Sequence, residues 1–302
     1  MHEEYSNPTI PEGINAPQRH QPLRTFFVLG ATALAIFALC LFCIGVAATL
    51  LAPHIPFSWE QQLMGSRFAL LSSACTSPRA KAREEELRRL AGKISTAMQL
   101  PVGMDIAVHY NVSDVDNAAA FPGGHIVVFH GILEKMHSED ELAALLAHEI
   151  AHVQHRDVAR GMVRAIGATL LMANVESIGA LMGMTAQLSM LSYTRSQEAA
   201  ADRAAAAALA QLYGHTGGAL RLFEGLQQRE GGGHEALPEI MSSHPDFESR
   251  MASIREHSRA LGVPDNGAAP PLPEVFRTTE EEKASKKQGD GCGRDEASQQ
   301  RE

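Results

Sequence analysis

Two motifs rich in histidine and carboxylate residues govern how this chain can fold. His148, Glu149 and His152 form an HExxH pattern, and Glu198 and Asp202 follow in the segment SQEAAADR. Both segments are predicted to be helical. Residues four apart on a helix lie above one another on one face, so His148 and His152 can bind one cation together. The motifs therefore predict two helices that meet at a metal ion.

The helix that carries HExxH has clear start and packing signals. Ser138 is predicted to cap it, and Glu141 completes a capping box. Apolar residues follow with helical spacing at Leu142, Leu145, Leu146, Ile150 and Val153. Glu149 is then expected to point beside the metal, where it suits a general base for a zinc-bound water better than a third ligand.

Glu198 and Asp202 complete the predicted site. Catalytic zinc usually has three protein ligands and one position open to water, and His, His and Glu form a recurrent set. Glu198 supplies this carboxylate, and Asp202, one turn further, is expected to accept the other ring N–H of a ligand histidine. The alternative is that both are solvated acids on a helix surface, which the upstream HExxH disfavours.

Four stretches, in this order along the chain, resemble one family. WEQQLMGSRF fits its early region, and NAAAFPGGHIVVFHGIL (117–133) resembles the strand-turn-strand before its active-site helix. HEIAHVQHRD followed by SQEAAAD is similar to the zinc metallopeptidase family of HtpX, the CAAX prenyl protease and BepA-type proteases. SSHPDFESR (242–250) resembles its downstream His-Pro motif. The resemblance covers roughly residues 57–261.

The resemblance implies a role for each site residue. His148, His152 and Glu198 would be the zinc ligands, Glu149 the base, and Asp202 an acid behind the ligands. It also implies protein quality control as the task.

The resemblance also draws attention to His244 and Arg250. Two roles are open for His244: it stabilises the oxyanion during attack on a carbonyl, or it occupies the open zinc position and holds the enzyme latent. For Arg250, a salt bridge to Asp246 and Glu248 is favoured over a bond to a backbone carbonyl.

A short β-sheet is predicted before the HExxH helix. Val102–Tyr110 alternates apolar and polar residues, and Ile126–Phe129 is an apolar run after a Pro-Gly-Gly turn. A free strand edge near the metal could pair with an extended substrate, which favours unfolded polypeptides. An interior strand would give the same pattern.

One apolar segment near the N-terminus predicts a membrane anchor. Phe26–Ala52 is 27 residues without a charge, enough to cross a bilayer. A cleaved signal peptide is the alternative, but its apolar core is normally only about 7–15 residues. Arg19 and Arg24 before the segment, against Arg67 after it, predict a cytoplasmic N-terminus and an extracytoplasmic, periplasmic catalytic domain.

The second apolar stretch, Met162–Tyr193, is interpreted differently. A single crossing would place His152 and Glu198 on opposite sides of the membrane, and two crossings need about 40 apolar residues. It is therefore expected to form one or two helices that pack over the site. HtpX-like relatives have membrane helices here, so the resemblance is closest to the BepA-like branch.

Composition limits the remaining possibilities. The net charge of −9, with no basic cluster, argues against nucleic-acid binding. Residues 1–24 and 263–302 have the polar, proline-rich or charged composition of flexible tails. The expected organisation is a tail (1–24), a transmembrane anchor (25–52), a metallopeptidase domain (53–262) and a C-terminal tail (263–302).

The sequence thus predicts an α+β, mainly helical protein: a zincin-like metallopeptidase domain with a small β-sheet and one N-terminal transmembrane helix. With one zinc ion per chain, it is expected to hydrolyse peptide bonds of unfolded or misfolded envelope or membrane proteins. The competing hypothesis is a membrane-anchored chaperone or adaptor whose latent or structural zinc site uses His244 as fourth ligand. Glu149 argues against it, because a structural site needs no base.

Overall fold

The computed structural model describes residues 22–68, 77–172, 193–230, 240, 244 and 246–277. The chain divides into two units, Met1–Cys43 and Ile44–Glu302. The described residues are mainly helical with one three-stranded sheet, which confirms the predicted fold class. The helices are α1 (Pro22–Leu51), α2 (Phe57–Phe68), α3 (Pro78–Ala97), α4 (His130–Leu133), α5 (Glu139–Gln154), α6 (Asp157–Met172), α7 (Arg195–Tyr213), α8 (Gly217–Glu230) and α9 (Phe247–Leu261). The strands are β1 (Ala107–Asn111), β2 (Ala118–Phe121) and β3 (His125–Phe129).

Helix α1 is the candidate membrane span among the described residues. It has 30 residues, and Ala48 alone among them is buried. At about 1.5 Å per residue it is about 45 Å long, which exceeds the roughly 30 Å of a bilayer core. It begins at Pro22, as expected for a residue whose missing N–H is not needed in the first turn.

The sheet has the order β1-β3-β2, so β2 is an edge strand within the described part of the chain. β1 runs parallel to β3, and β2 runs antiparallel to it. Ile126 and Val128 of β3 belong to the main core, whereas Val127 packs with Met64 of α2 on the opposite face. The strand predicted from Val102 begins later, at Ala107, because the preceding residues form a turn in which Gly103 has a φ of +84°.

Helix α5 lies at the centre of the core. Its five apolar residues predicted to face inward are at most 4% exposed, and burial of each contributes about 1.5–3 kcal/mol. The predicted capping box does not form. Ser138 makes no side-chain cap bond, and Glu141 Oε2 instead accepts the N–H of His137 at 2.9 Å. The apolar periodicity of the helix was thus the better guide than its cap.

Helix α7 packs directly against α5. Thr194 and Gln197 form a reciprocal capping box at its start, and Gly214, with a φ of +74°, ends it. Ala201 and Ala205 are buried on the same side as the charged motif. Small side chains allow two helix backbones to approach closely, which brings the second motif to the first.

The C-terminal boundary at residue 262 is too early. Residues 263–277 lie against the domain, the Glu139 N–H donates to the Pro270 carbonyl, and Phe276 is only 1% exposed. The segment is held by hydrogen bonds to its backbone carbonyls and by the buried ring of Phe276. The average polarity of its sequence does not predict these contacts. Residues 278–302 of the predicted tail lie outside the described residues. So do residues 1–21, and residues 173–192 of the second apolar stretch.

Candidate metal centre

Helix α5 presents its two histidines on one face. The Nε2 atoms of His148 and His152 are 3.1 Å apart, and their rings are perpendicular. Both residues are buried, at 7% and 0% exposure. The helical repeat therefore points two nitrogen donors at one position.

Helix α7 adds the carboxylate. Glu198 Oε2 lies 3.5 Å from His148 Nε2, and Glu198 Oε1 lies 3.5 Å from His152 Nε2. The Glu198 residue is buried, with only 2% of its surface exposed. The three residues that the sequence nominated as ligands thus converge across the α5–α7 contact.

His244 lies at the same position. Its Nδ1 is 3.2 Å from His148 Nε2 and 2.9 Å from Glu198 Oε1. The four donor residues His148, His152, Glu198 and His244 are all buried and form one candidate metal-binding group. Zinc bonds of about 2.0–2.2 Å in a tetrahedron place ligand atoms about 3.3 Å apart. The donor set therefore fits one zinc ion in both chemistry and spacing.

Two carboxylates hold the ligand histidines by their other ring nitrogens. Asp202 Oδ1 lies 3.0 Å from His148 Nδ1, and Asp157 Oδ2 lies 3.1 Å from His152 Nδ1. Each contact fixes the tautomer that leaves Nε2 free to bind a metal. Asp202 was predicted from the sequence to hold a ligand histidine, whereas Asp157 was not. An acid at the start of α6, directly after the HExxH helix, was the available signal.

The favoured salt-bridge partners of Arg250, Asp246 and Glu248, are wrong, whereas the alternative, a bond to a backbone carbonyl, does form. Its Nε and Nη2 donate to the two oxygens of Asp202 at 2.8 and 2.7 Å, and its Nη1 lies 2.7 Å from Glu198 Oε2. Nη1 also donates to the His244 carbonyl at 3.2 Å. Local spacing favoured the neighbouring acids of α9, but the side chain turns inward to the buried carboxylates of α7.

Tyr193 is a further residue that sequence reasoning missed. Its ring stacks on His152 with centroids 3.8 Å apart and an interplanar angle of 8°. It also lies beside His244, with centroids 5.4 Å apart. Tyr193 lies between the two motifs in the sequence, and no local pattern there predicts its contact with His152. Only the folded chain brings the two rings together.

Glu149 is held beside the four donors. Its Oε2 accepts the N–H of Ala120 in β2 at 2.9 Å. Its Oε1 is buried without a hydrogen-bond partner among the described residues and lies 3.7 Å from His244 Nε2. One oxygen is thus fixed by the edge strand, and the other can take a proton.

Electrostatics favour positive charge at this centre. Burial raises the pKa of the Glu198 carboxyl, but contacts with His148, His152 and His244 outweigh it and hold the pKa well below its usual range. Burial lowers the pKa of His148, but the carboxylates of Asp202 and Glu198 raise it to about 9. The Glu198 carboxylate therefore remains ionised. The negative charge that favours a proton on His148 also favours a divalent cation at the same position.

Comparison with known proteins gives a consistent picture. The family described as peptidase family M48 matches residues 79–258. The beta-barrel assembly-enhancing protease of Escherichia coli K12 is 33% identical over 164 residues, which cover 49% of this chain and 34% of that protein. The mitochondrial metalloendopeptidase OMA1 of Schizosaccharomyces pombe is 33% identical over 150 residues, with 46% and 43% covered. Metalloprotease LoiP of E. coli is 28% identical over 163 residues, with 51% and 63% covered. The chain therefore spans only about a third of the length of the beta-barrel assembly-enhancing protease.

Proposed function

The chain belongs to peptidase family M48, and we propose that it is a membrane-anchored zinc metalloendopeptidase acting on unfolded or misfolded proteins. The observation that carries this proposal is the convergence of four buried donor residues beside a carboxylate with one unbonded oxygen. His148, His152 and Glu198 would hold the ion, and Asp202 and Asp157 would orient the histidines.

Glu149 is the proposed general base. When bound, zinc would polarise the scissile carbonyl and acidify the attacking water. Glu149 Oε1 takes the proton of that water and later passes it to the leaving amine. The Ala120 N–H, 2.9 Å from Oε2, keeps the carboxylate in one orientation throughout.

An extended polypeptide is the proposed substrate. β2 is an edge strand next to Glu149, and its residues Ala118 to Ala120 carry only methyl groups. Main-chain pairing at such an edge gives affinity with little sequence selectivity. Quality control of envelope or membrane proteins follows by analogy with relatives such as the beta-barrel assembly-enhancing protease.

The proposed location is a single-pass membrane protein with a cytoplasmic N-terminus and a periplasmic catalytic domain. Helix α1 is the supporting observation for the anchor. The orientation rests on Arg19 and Arg24 before the apolar segment.

His244 is proposed to occupy the position that substrate and water need. Its Nδ1 lies within 3.2 Å of two other donors, which supports the latent role over oxyanion stabilisation. The same four-donor arrangement supports the second candidate function, a chaperone or adaptor with a structural zinc site. The buried, unbonded Glu149 Oε1 favours the enzyme, because a structural site has no use for it.

Cleavage of casein by the full-length chain in detergent tests the proposal, with Glu149→Gln as the control. Cleavage by the wild type alone supports the enzyme and its base. Equal cleavage by both proteins indicates a contaminant and refutes the mechanism. If neither cleaves, His244→Ala decides: gained activity supports a latent peptidase, and continued inactivity supports the binding protein.

A further inference from the structure

Glu60 is a buried acid in α2, the helix that follows the candidate membrane span. It is 4% exposed, and its Oε2 accepts the Gly123 N–H at 3.0 Å. Its Oε1 lies 2.6 Å from Nη2 of Arg156. The carboxylate therefore joins the turn after β2 to Arg156, which lies two residues after the end of α5.

The turn at Gly123 is closely packed against α2. Gly123 has a φ of +79°, and a Cβ there would lie 3.0 Å from both N and Cα of Gln61. This turn directly follows β2, whose Ala120 N–H fixes Glu149. A short path therefore runs from Glu60 through Gly123 and β2 to the proposed base.

Arg156 connects the same carboxylate to the segment between α1 and α2. Its Nη2 donates to the Ile55 carbonyl at 2.6 Å, and its guanidinium lies 5.4 Å from the centre of the Phe57 ring. Arg156 has a φ of +62° and comes two residues after α5 ends. The segment after the membrane helix is thus bonded to Arg156, just after the HExxH helix, and α2 is bonded to the turn that follows β2.

We propose that Glu60 is a positioning residue for Glu149, acting through the Gly123 turn and β2. The segment between the membrane helix and the catalytic domain is then part of the frame that sets the geometry of catalysis. Glu60 lies before residue 79, where the family match begins, whereas its partners Gly123 and Arg156 lie within the match. The inference rests on the proposed function, in which Glu149 is the base.

Two substitutions separate the parts of this contact. Glu60→Ala removes the acceptor of the Gly123 N–H and the counterion of Arg156. Glu60→Gln keeps an amide oxygen for the Gly123 N–H, but it removes the charge and replaces the oxygen that faces Arg156 with an amide nitrogen. If the bond to Gly123 positions the base, the glutamine variant restores what the alanine variant loses.

Glu84 offers a matched control on the opposite edge of the sheet. Its Oε2 accepts the Tyr110 N–H of β1 at 3.0 Å, and its Oε1 lies 2.5 Å from Arg88 Nη2. As at Glu60, a carboxylate is shared by a backbone N–H and an arginine, although the Glu84 side chain is 26% exposed and that of Glu60 only 5%. β3 separates β1 from β2, and within the described residues the backbone N–H bonded to Glu149 belongs to Ala120 of β2, so Glu84→Ala should not affect the base.

Steady-state kinetics and zinc content of the full-length proteins test the proposal, in a His244→Ala background if the wild type is latent. Misplacement of a catalytic group by about 1 Å lowers a rate by about a hundredfold. We expect Glu60→Ala to lower kcat by about ten- to a hundredfold with KM changed less than about threefold and zinc retained. Glu60→Gln and Glu84→Ala should stay near wild-type kcat.

Three outcomes overturn the proposal. The first is a wild-type kcat in Glu60→Ala. The second is an equal loss in Glu60→Gln, which would assign the effect to the ion pair with Arg156 rather than to the Gly123 bond. The third is an equal loss in Glu84→Ala, which would indicate general destabilisation.

Amide hydrogen exchange gives a readout that does not need activity. Glu60→Ala should speed exchange in residues 118–124, and Glu84→Ala should speed it in 107–111 instead. If exchange in 118–124 is unchanged, the positioning role is refuted. A His244→Ala chain that cleaves nothing but shows the expected exchange refutes the proposed function and leaves the contact of Glu60 with the turn after β2 established.

Discussion

Helix α5 has a buried polar cluster near each end, and the two clusters are built differently. Near the start, Asp140 is fully buried, its carboxylate pairs with Arg221 of α8, and its Oδ2 lies 4.0 Å from His215 Nδ1. Near the end, the Nε2 atoms of His148 and His152 face each other at 3.1 Å. In the first cluster a negative carboxylate lies next to a positive guanidinium. In the second, two ring nitrogens that can each bind a metal point at the same position.

The difference shows which kind of buried polarity indicates a functional site. The Asp140–Arg221 pair places opposite charges next to each other and links α5 to α8, although Asp140 Oδ1 has no hydrogen-bond partner among the described residues. Lone pairs that converge at about 3.3 Å are favourable only with a shared cation or a proton between them. Burial of charge alone would have ranked the two clusters equally, but the direction of the donor atoms separates them.

The largest expected effect concerns the base at the converging cluster. Glu149→Gln removes the proton acceptor and should lower turnover by about 10²- to 10⁴-fold. Zinc content should remain at the wild-type level, because neither oxygen of Glu149 is among the four donors. Peptidase assays with parallel metal analysis check this, and turnover that survives the substitution refutes the base.

Glu198→Ala and Asp140→Ala test the comparison itself. Glu198→Ala should lower bound zinc well below one ion per chain. Asp140→Ala removes the buried partner of Arg221, whose side chain is 27% exposed, and should lower the free energy of unfolding by about 1–3 kcal/mol, while the folded fraction keeps its zinc. Denaturation curves and metal analysis of both variants measure this. If the folded Asp140→Ala variant loses zinc, or if Glu198→Ala retains it, the two clusters do not differ in metal binding as proposed.

Zinc should stabilise the folded chain in a pH-dependent manner. At a free concentration a hundred times its Kd, zinc adds about 2.7 kcal/mol to stability. Histidine ligands must lose their protons to bind the ion, and the carboxylates raise the pKa of His148 to about 9. Protons therefore compete increasingly as pH falls, so the stabilisation by zinc should shrink on acidification.

Thermal unfolding with zinc and with a chelator, at about pH 8 and about pH 5.5, measures this dependence across the histidine titration range. A stabilisation by zinc that is equal at both pH values would contradict histidine ligation.

The smallest expected effect concerns a residue behind the ligands. Asp157→Asn weakens the hold on His152 and should lower zinc affinity by about 10- to 100-fold. Asp246→Asn is the control, since Asp246 contacts Arg195 at 3.4 Å and makes no contact with a ligand histidine. Competition with a zinc chelator measures both affinities. Equal affinities in the two variants would mean that Asp157 does not support the metal.

Sequence patterns were most informative within single helices. The spacing of His148 and His152, and the apolar stripe of α5, follow from the helical repeat and needed no tertiary information. The Ser138 cap failed because the Glu141 carboxylate bonds a different backbone N–H. The segment 263–277 was misjudged because its contacts are made by backbone carbonyls and the buried ring of Phe276.

The sequence by itself determined the two motif helices and which of their residues are candidate metal ligands and the candidate base, because residues one turn apart share a face whatever surrounds them. Only the tertiary structure decided the partners of Arg250, the support of His152 by Asp157, and the bond from Glu60 to Gly123. These contacts join segments that are distant along the chain. Their distances are set by how whole helices and strands pack, which no local pattern of residues encodes.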